Sequence, residues 1–192
     1  MEAEKLIIIN GASGSGKTFA MEKMAFVSKN IQPIKKYTTR EPRSHEKIDS
    51  SVDLVFNTSL DVIQGCKYRY FYENNSYGIF SGDINKALES GKNPIVIVRD
   101  YDVIIELLND FLDPIVIYVH SAYTGEELVR ILKENGRKDI EAKERRERET
   151  KNFKDYIKYL NKDLFKYHVY NYYDDTFVIQ MKYFLSKHME VY

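Results

Sequence analysis

The chain has no tryptophan, four prolines and a single cysteine among 192 residues. With Cys66 alone, no intrachain disulfide and no cysteine-based zinc site can form. Charge of one sign is also missing, since 29 basic residues face 29 acidic ones. A neutral chain has no overall field to draw in a polyanion, which argues against a nucleic-acid polymer as partner. Long apolar runs are absent as well, and none approaches the ~20 residues that span a bilayer. The acidic stretch 1–5 leads into only four strongly apolar residues, 6–9, less than a secretion signal needs. The expectation is a soluble, cytoplasmic chain with no membrane contact.

What is present fills one core. Apolar residues make up 43% of the chain, and this length suits one domain with small insertions. Short apolar runs at 6–10, 34–37, 95–98, 115–119 and 167–170 alternate with helical patterns. That alternation predicts an α/β fold, a parallel sheet with helices on both faces. In 18–29 the stripe is Met21, Met24, Ala25 and Ser28. In 102–111 it is Ile104, Leu107, Leu108 and Phe111, and in 176–186 it is Phe177, Met181, Phe184 and Leu185. Such stripes are core faces. Two segments break the rhythm. Residues 38–81 are rich in turn formers and short aromatic runs, predicting a small insert with some β structure. Residues 136–151 are almost wholly charged, as in a solvated helix with i,i+4 ion pairs. The core is accordingly assigned to 1–37, 82–135 and 163–192 of a single domain spanning 1–192. The insert takes 38–81, and a lid takes 136–162.

Gly11, Ala12, Ser13, Gly14, Ser15, Gly16, Lys17 and Thr18 satisfy G-x-x-x-x-G-K-[ST] in full. Glycines let the backbone curl so that N–H groups point inward, and the following helix adds its positive end. Lys17 brings a point charge to the β- and γ-phosphates, and the Thr18 hydroxyl is placed to coordinate Mg²⁺. From residue frequencies a match arises by accident in roughly one chain of this length in a couple of hundred. Here it also follows an apolar run and opens a helical pattern, the context that a nucleotide-binding loop requires.

A phosphate loop alone does not separate a kinase from a GTPase. Farther on, Tyr37-Thr-Thr-Arg40-Glu-Pro-Arg43-Ser-His-Glu46 sets two arginines three residues apart around Pro42. Paired guanidinium forks suit a phosphate held by bidentate hydrogen bonds. In this position the segment resembles the T-T-R-x-P-R-x-x-E signature of guanylate kinases. Tyr77-Gly78, Ser90-Gly91-Lys92, a helix with Leu128 and Arg130, Gly136, Arg146 and the Val169-Tyr-Asn171 segment resemble that family in order and spacing, over nearly the whole chain.

The resemblance implies a three-layer P-loop NTP hydrolase fold and transfer of the ATP γ-phosphoryl group, with Mg²⁺, to a nucleoside monophosphate. Arg40, Arg43 and Tyr77 would bind the acceptor phosphate. Arg137 and Arg146 would close over the transferring group from the lid, and Asn171 would lie near the adenine. A catalytic aspartate is assigned to Asp100 of Asp100-Tyr101-Asp102, although ungapped spacing from Gly91 puts Ile97 and Arg99 there. The implied partner is a small phosphorylated acceptor, and the implied assembly a monomer or homodimer. At the family's base-reading positions stand Tyr68, Ile79, Lys36 and Leu54 or Val55, which predicts relaxed guanine selection. His45 and His120 are assigned to the surface or a strand edge. Two other functions stay open: a kinase of a phosphorylated sugar, resembling the ribose 1,5-bisphosphate kinases, and a non-catalytic protein-binding module.

Overall fold

The computed structural model describes residues 4–42, 46, 51–134, 142–160 and 163–188. Within 142–160 it describes the backbone throughout, but not the side chains of 142–146, 148, 149 and 152. The first strand, β1 (Ile7–Gly11), runs through the phosphate loop into α1 (Lys17–Val27). Next come β2 (Ile31–Pro33), β3 (Lys36–Thr38), β4 (Leu54–Val55), α2 (Leu60–Gln64), β5 (Tyr68–Tyr72), β6 (Asn75–Ile79) and α3 (Ser81–Glu89). The chain continues through β7 (Asn93–Ile97), α4 (Tyr101–Asp110), β8 (Ile115–Ser121), α5 (Gly125–Glu134), α6 (Ala142–Leu160), β9 (Tyr167–Asn171) and α7 (Asp175–His188).

Five strands form a parallel sheet in the order β2-β7-β1-β8-β9. The connections leave β1 on one side for β2 and β7 and on the other for β8 and β9. The phosphate loop therefore emerges at the point where strand order reverses, the usual ligand crevice of open α/β sheets. Strand pleating divides the core. Ile7, Ile9, Ile95, Ile97, Ile115, Ile117 and Val119 face α1 and α7, meeting Met21, Met24, Phe177 and Met181. Ile8, Val96, Val98, Val116 and Tyr118 face the other way, toward Ile104, Leu107 and the aromatic residues of the insert. Each such side chain, fully buried, contributes on the order of 2 kcal/mol.

The strand expected at 34–37 is displaced: residues 34 and 35 link β2, which ends at Pro33, to β3, which begins at Lys36, and these two strands lie in different sheets. β2 pairs with β7 through Ile31–Asn93 and Pro33–Ile95. β3 leaves that sheet and joins a second one, ordered β4-β3-β6-β5. Pro33 lacks an N–H, but β2 is an edge strand, where proline is tolerated. Only Ile31 of its three residues is strongly apolar, so an apolar-run criterion does not find this strand. The small sheet is fastened to the main body by shared core, because Leu54, Phe56, Tyr68, Tyr70, Tyr77 and Ile79 belong to the cluster around Ile8 and Val96. Tyr68 adds a bond across that junction, its hydroxyl donating to Asp110 Oδ2 at the end of α4 over 2.9 Å.

The second half of α6 is also core. Tyr159 is buried and stacks on Tyr101 at 4.2 Å, and Tyr156 packs on Tyr118. No helix among the described residues is long and apolar enough to cross a membrane.

Candidate active site

Two glycines explain the shape of the phosphate loop. Gly11 has φ +144°, and a Cβ there would meet the Val119 carbonyl oxygen at 2.4 Å. Gly16, at φ +97°, precedes the first turn of α1, and its Cβ would lie 2.4 Å from Asn171 Nδ2. Positive φ and close contact together admit glycine at both positions. Lys17 Nζ donates to the Gly11 carbonyl at 2.9 Å and the Ala12 carbonyl at 2.6 Å, which holds its charge over the loop. Thr18 is exposed and lines the cleft described below.

The loop is braced from β9. Asn171 Nδ2 donates to the Ser15 carbonyl, while its Oδ1 accepts from the Tyr173 backbone N–H. The Tyr173 hydroxyl donates to the Gly14 carbonyl at 2.6 Å. Asn171 touches the cleft, but its side chain is 4% exposed and both its polar ends hold backbone. Tyr173 was not foreseen, because nothing local in the sequence ties it to a loop 159 residues away.

A cleft of about 800 Å³ runs from this loop to the small sheet. On the far wall Arg40 forms a two-pronged pair with Glu46, at 2.8 and 3.0 Å. Its guanidinium lies 5.0 Å over the Phe56 ring, and, against burial, Glu46 and after it Tyr77 raise its pKa. Tyr77 stacks on Tyr70 with ring centres 5.0 Å apart. Arg40, Tyr77 and Lys17 thus line one cavity. Gly78, beside Tyr77, is set by packing, since a Cβ there would sit 2.7 Å from Cys66 Sγ.

Asp100 stands at the start of α4. It is the N-cap of α4, its Oδ1 accepting from the backbone of Asp102 at 3.0 Å and of Val103 at 3.1 Å. It does not line the cleft; Ile97 and Arg99, the ungapped alternative, do. The physical reason is local, because an aspartate just ahead of a helix satisfies N–H groups that the helix itself cannot. Arg43, Arg137 and His45 lie outside the described residues, as does the side chain of Arg146, which falls within α6.

Of the four base-reading positions, Tyr68 and Ile79 are fully buried in the core and do not line the cleft. Lys36 and Leu54 do line it. Lys36 is 4% exposed, and burial lowers its pKa from the usual 10.5 to about 8, with Asp53 opposing and Arg99 and Arg40 reinforcing the shift. Burial also raises the carboxyl pKa of Glu22 on α1, with Asp53 adding to it. His120, at the end of β8, stacks on Tyr170 and lies 3.1 Å from His168, away from the cleft.

No family model and no curated protein matches this sequence. In fold the chain is similar to the crystal structure of guanylate kinase from Anaplasma phagocytophilum, with a TM-score of 0.68 at 16% identity. That likeness covers 98% of this chain and 87% of that chain. At such identity it establishes the fold, a mostly parallel sheet with helices around it, as in that P-loop kinase.

Proposed function

We propose that the chain is an ATP-dependent phosphotransferase that moves the γ-phosphoryl group to a small phosphorylated acceptor, in the manner of guanylate-kinase-type nucleoside-monophosphate kinases. The observation that carries this reading is the single cavity lined by Lys17 and Thr18 on one wall and by Arg40 and Tyr77 on the other. The glycine-shaped loop at the start of α1 fits a nucleotide triphosphate tail, and Thr18 would hold its Mg²⁺. Bound Mg·ATP supplies the phosphoryl group. Lys17 would neutralise charge on the phosphate tail, and Arg40 with Tyr77 would orient the acceptor phosphate. Arg43 would complete that clamp, and Arg137 and Arg146 would close from the lid and exclude water.

The second reading is a kinase of a phosphorylated sugar. It is favoured by Tyr68 and Ile79, whose positions face the core and offer no polar group to a base. ATP consumption with GMP, dGMP, IMP, AMP, CMP, UMP and ribose 1,5-bisphosphate distinguishes these functions. Turnover with any monophosphate nucleotide supports the first reading, and turnover confined to the sugar supports the second. Absence of acceptor-dependent turnover across the panel would overturn both and leave a protein-binding module.

A further inference from the structure

Two buried donors in the acceptor half of the cleft, and one ammonium beside them, have no acceptor among the described residues. Lys36 is almost wholly enclosed; its backbone N–H donates to the Asp53 carbonyl, while its ammonium makes no hydrogen bond or ion pair among the described residues. Arg99 Nη2 is buried without a hydrogen-bond partner, its guanidinium lying 4.4 Å over the Tyr72 ring. The Tyr70 hydroxyl is buried without a partner too. All three line the same cavity as Arg40 and Tyr77. They are not extra parts of the Arg40 group, because Arg40 is already paired with the Glu46 carboxylate.

Buried polar groups are normally satisfied, and a buried cation without a partner is costly. Asp53 is near enough to act on Lys36 electrostatically, yet forms no ion pair with it. The charges that act on Lys36 are one carboxylate, Asp53, and two guanidiniums, Arg99 and Arg40. Two cations and a hydroxyl donor match the three oxygens and the near-double charge of a phosphate monoester. They do not match a neutral purine, whose recognition needs acceptors as well as donors.

We propose that Lys36, Arg99 and Tyr70 form a second phosphate subsite beside the Arg40–Tyr77 clamp, so that the acceptor is a small doubly phosphorylated polyol or sugar. This rests on the cleft being the acceptor site of a phosphotransferase, and it deepens the second reading above. The subsite occupies the space that a base would take. The first phosphate is held by Arg40 and Tyr77, and the second fixes the far end of the molecule, so two ionic anchors set its orientation.

Calorimetric titration of the full chain at pH 7 with ribose 5-phosphate, ribose 1,5-bisphosphate and GMP tests this. The bisphosphate is expected to bind at least tenfold more tightly than either monophosphate. Lys36→Met and Arg99→Met should each remove most of that advantage, and Tyr70→Phe a few-fold part of it. All three should leave ribose 5-phosphate and ATP affinities within about twofold, and melting curves establish that each variant is folded. Equal loss of the mono- and bisphosphate in the variants would overturn the subsite, as would GMP binding as tightly as the bisphosphate. If ribose 5-phosphate binds, and is lost in Arg40→Ala, while the second phosphate adds nothing, the subsite alone fails. If ATP binds and no phosphorylated sugar or nucleotide does, the acceptor reading fails with it.

Discussion

Asn171 Nδ2 donates to the Ser15 carbonyl at 3.0 Å across 156 positions of sequence, and the bond is buried. The same side chain accepts from the Tyr173 N–H at 2.8 Å. One amide therefore fastens the phosphate loop at the start of the chain to the last strand of the sheet. Asn171→Ala leaves the Ser15 carbonyl and the Tyr173 N–H without these bonds, at a cost of about 1–3 kcal/mol. The expected outcome is a lower melting temperature together with weaker ATP binding. Chemical unfolding and ATP titration check both, and an unchanged melt would mean that the loop is held by its own backbone.

Lys17→Ala should abolish phosphoryl transfer and leave the fold intact. The ammonium bonds to two carbonyls of its own loop and belongs to neither hydrophobic cluster, so its removal opens no cavity in the core. Turnover and thermal melting of the two proteins are the measurements. Turnover like that of the unmodified chain would remove the kinase reading.

Arg40→Ala should weaken the acceptor by ~1.5–3 kcal/mol, the scale of a lost charge-assisted contact, and affect ATP far less. Arg40 lies on the wall opposite the phosphate loop and is oriented by Glu46 at 2.8 Å and by the Phe56 ring. Separate titrations of ATP and acceptor decide it. Equal losses for both would place Arg40 in the general scaffold of the cleft.

Lys36→Met should make the protein more stable at neutral pH. Burial first, and Arg99 and Arg40 after it, bring the lysine pKa from 10.5 to about 8, while Asp53 opposes them. Between those values the unfolded chain binds more protons than the folded one, so stability from this group rises with pH. The penalty is full below pH 8 and is relieved by about pH 10.5, and at pH 7 it is on the order of 3 kcal/mol. Melting of both proteins from pH 7 to 10.5 should show an advantage for the variant that shrinks with rising pH. A variant less stable at pH 7 would show that the fold, rather than a ligand, accommodates this charge.

His120 should make the fold acid-sensitive. Burial, with His168 adding to it, lowers its pKa from 6.5 to about 4. Between those values the folded chain binds fewer protons than the unfolded one. The stability is therefore present above pH 6.5 and lost as pH falls toward 4. The rings of His168, Tyr170, Tyr118 and Tyr156 surround it. His120→Phe should flatten the decline of melting temperature over this range, and a decline as steep as before would assign it to other groups.

The fold class was legible because period and composition act locally. Three consecutive isoleucines in β1 mark a strand buried on both faces, and the stripes of α4 and α7 each state which side of a helix is dry. The phosphate loop was legible for the same reason, since its glycines, lysine and threonine are consecutive and their backbone need is local. That Arg40 and Tyr77 line one cavity could be anticipated through family resemblance alone. Three features were decided by tertiary structure. The split of β2 from β3 depends on which sheet edge each strand meets, and β2, with only Ile31 strongly apolar, carries no apolar run that marks the choice. Asp100 and Arg99 are neighbours, yet the start of α4 takes the aspartate as its cap and leaves the arginine to the cleft. Lys36 sits in a strand pattern that ordinarily puts lysine in water. It faces the cavity because β3 is flanked by β4 and β6, and pleating then fixes its side. Local sequence sets propensities and faces; which face becomes a site depends on what the rest of the chain packs against it.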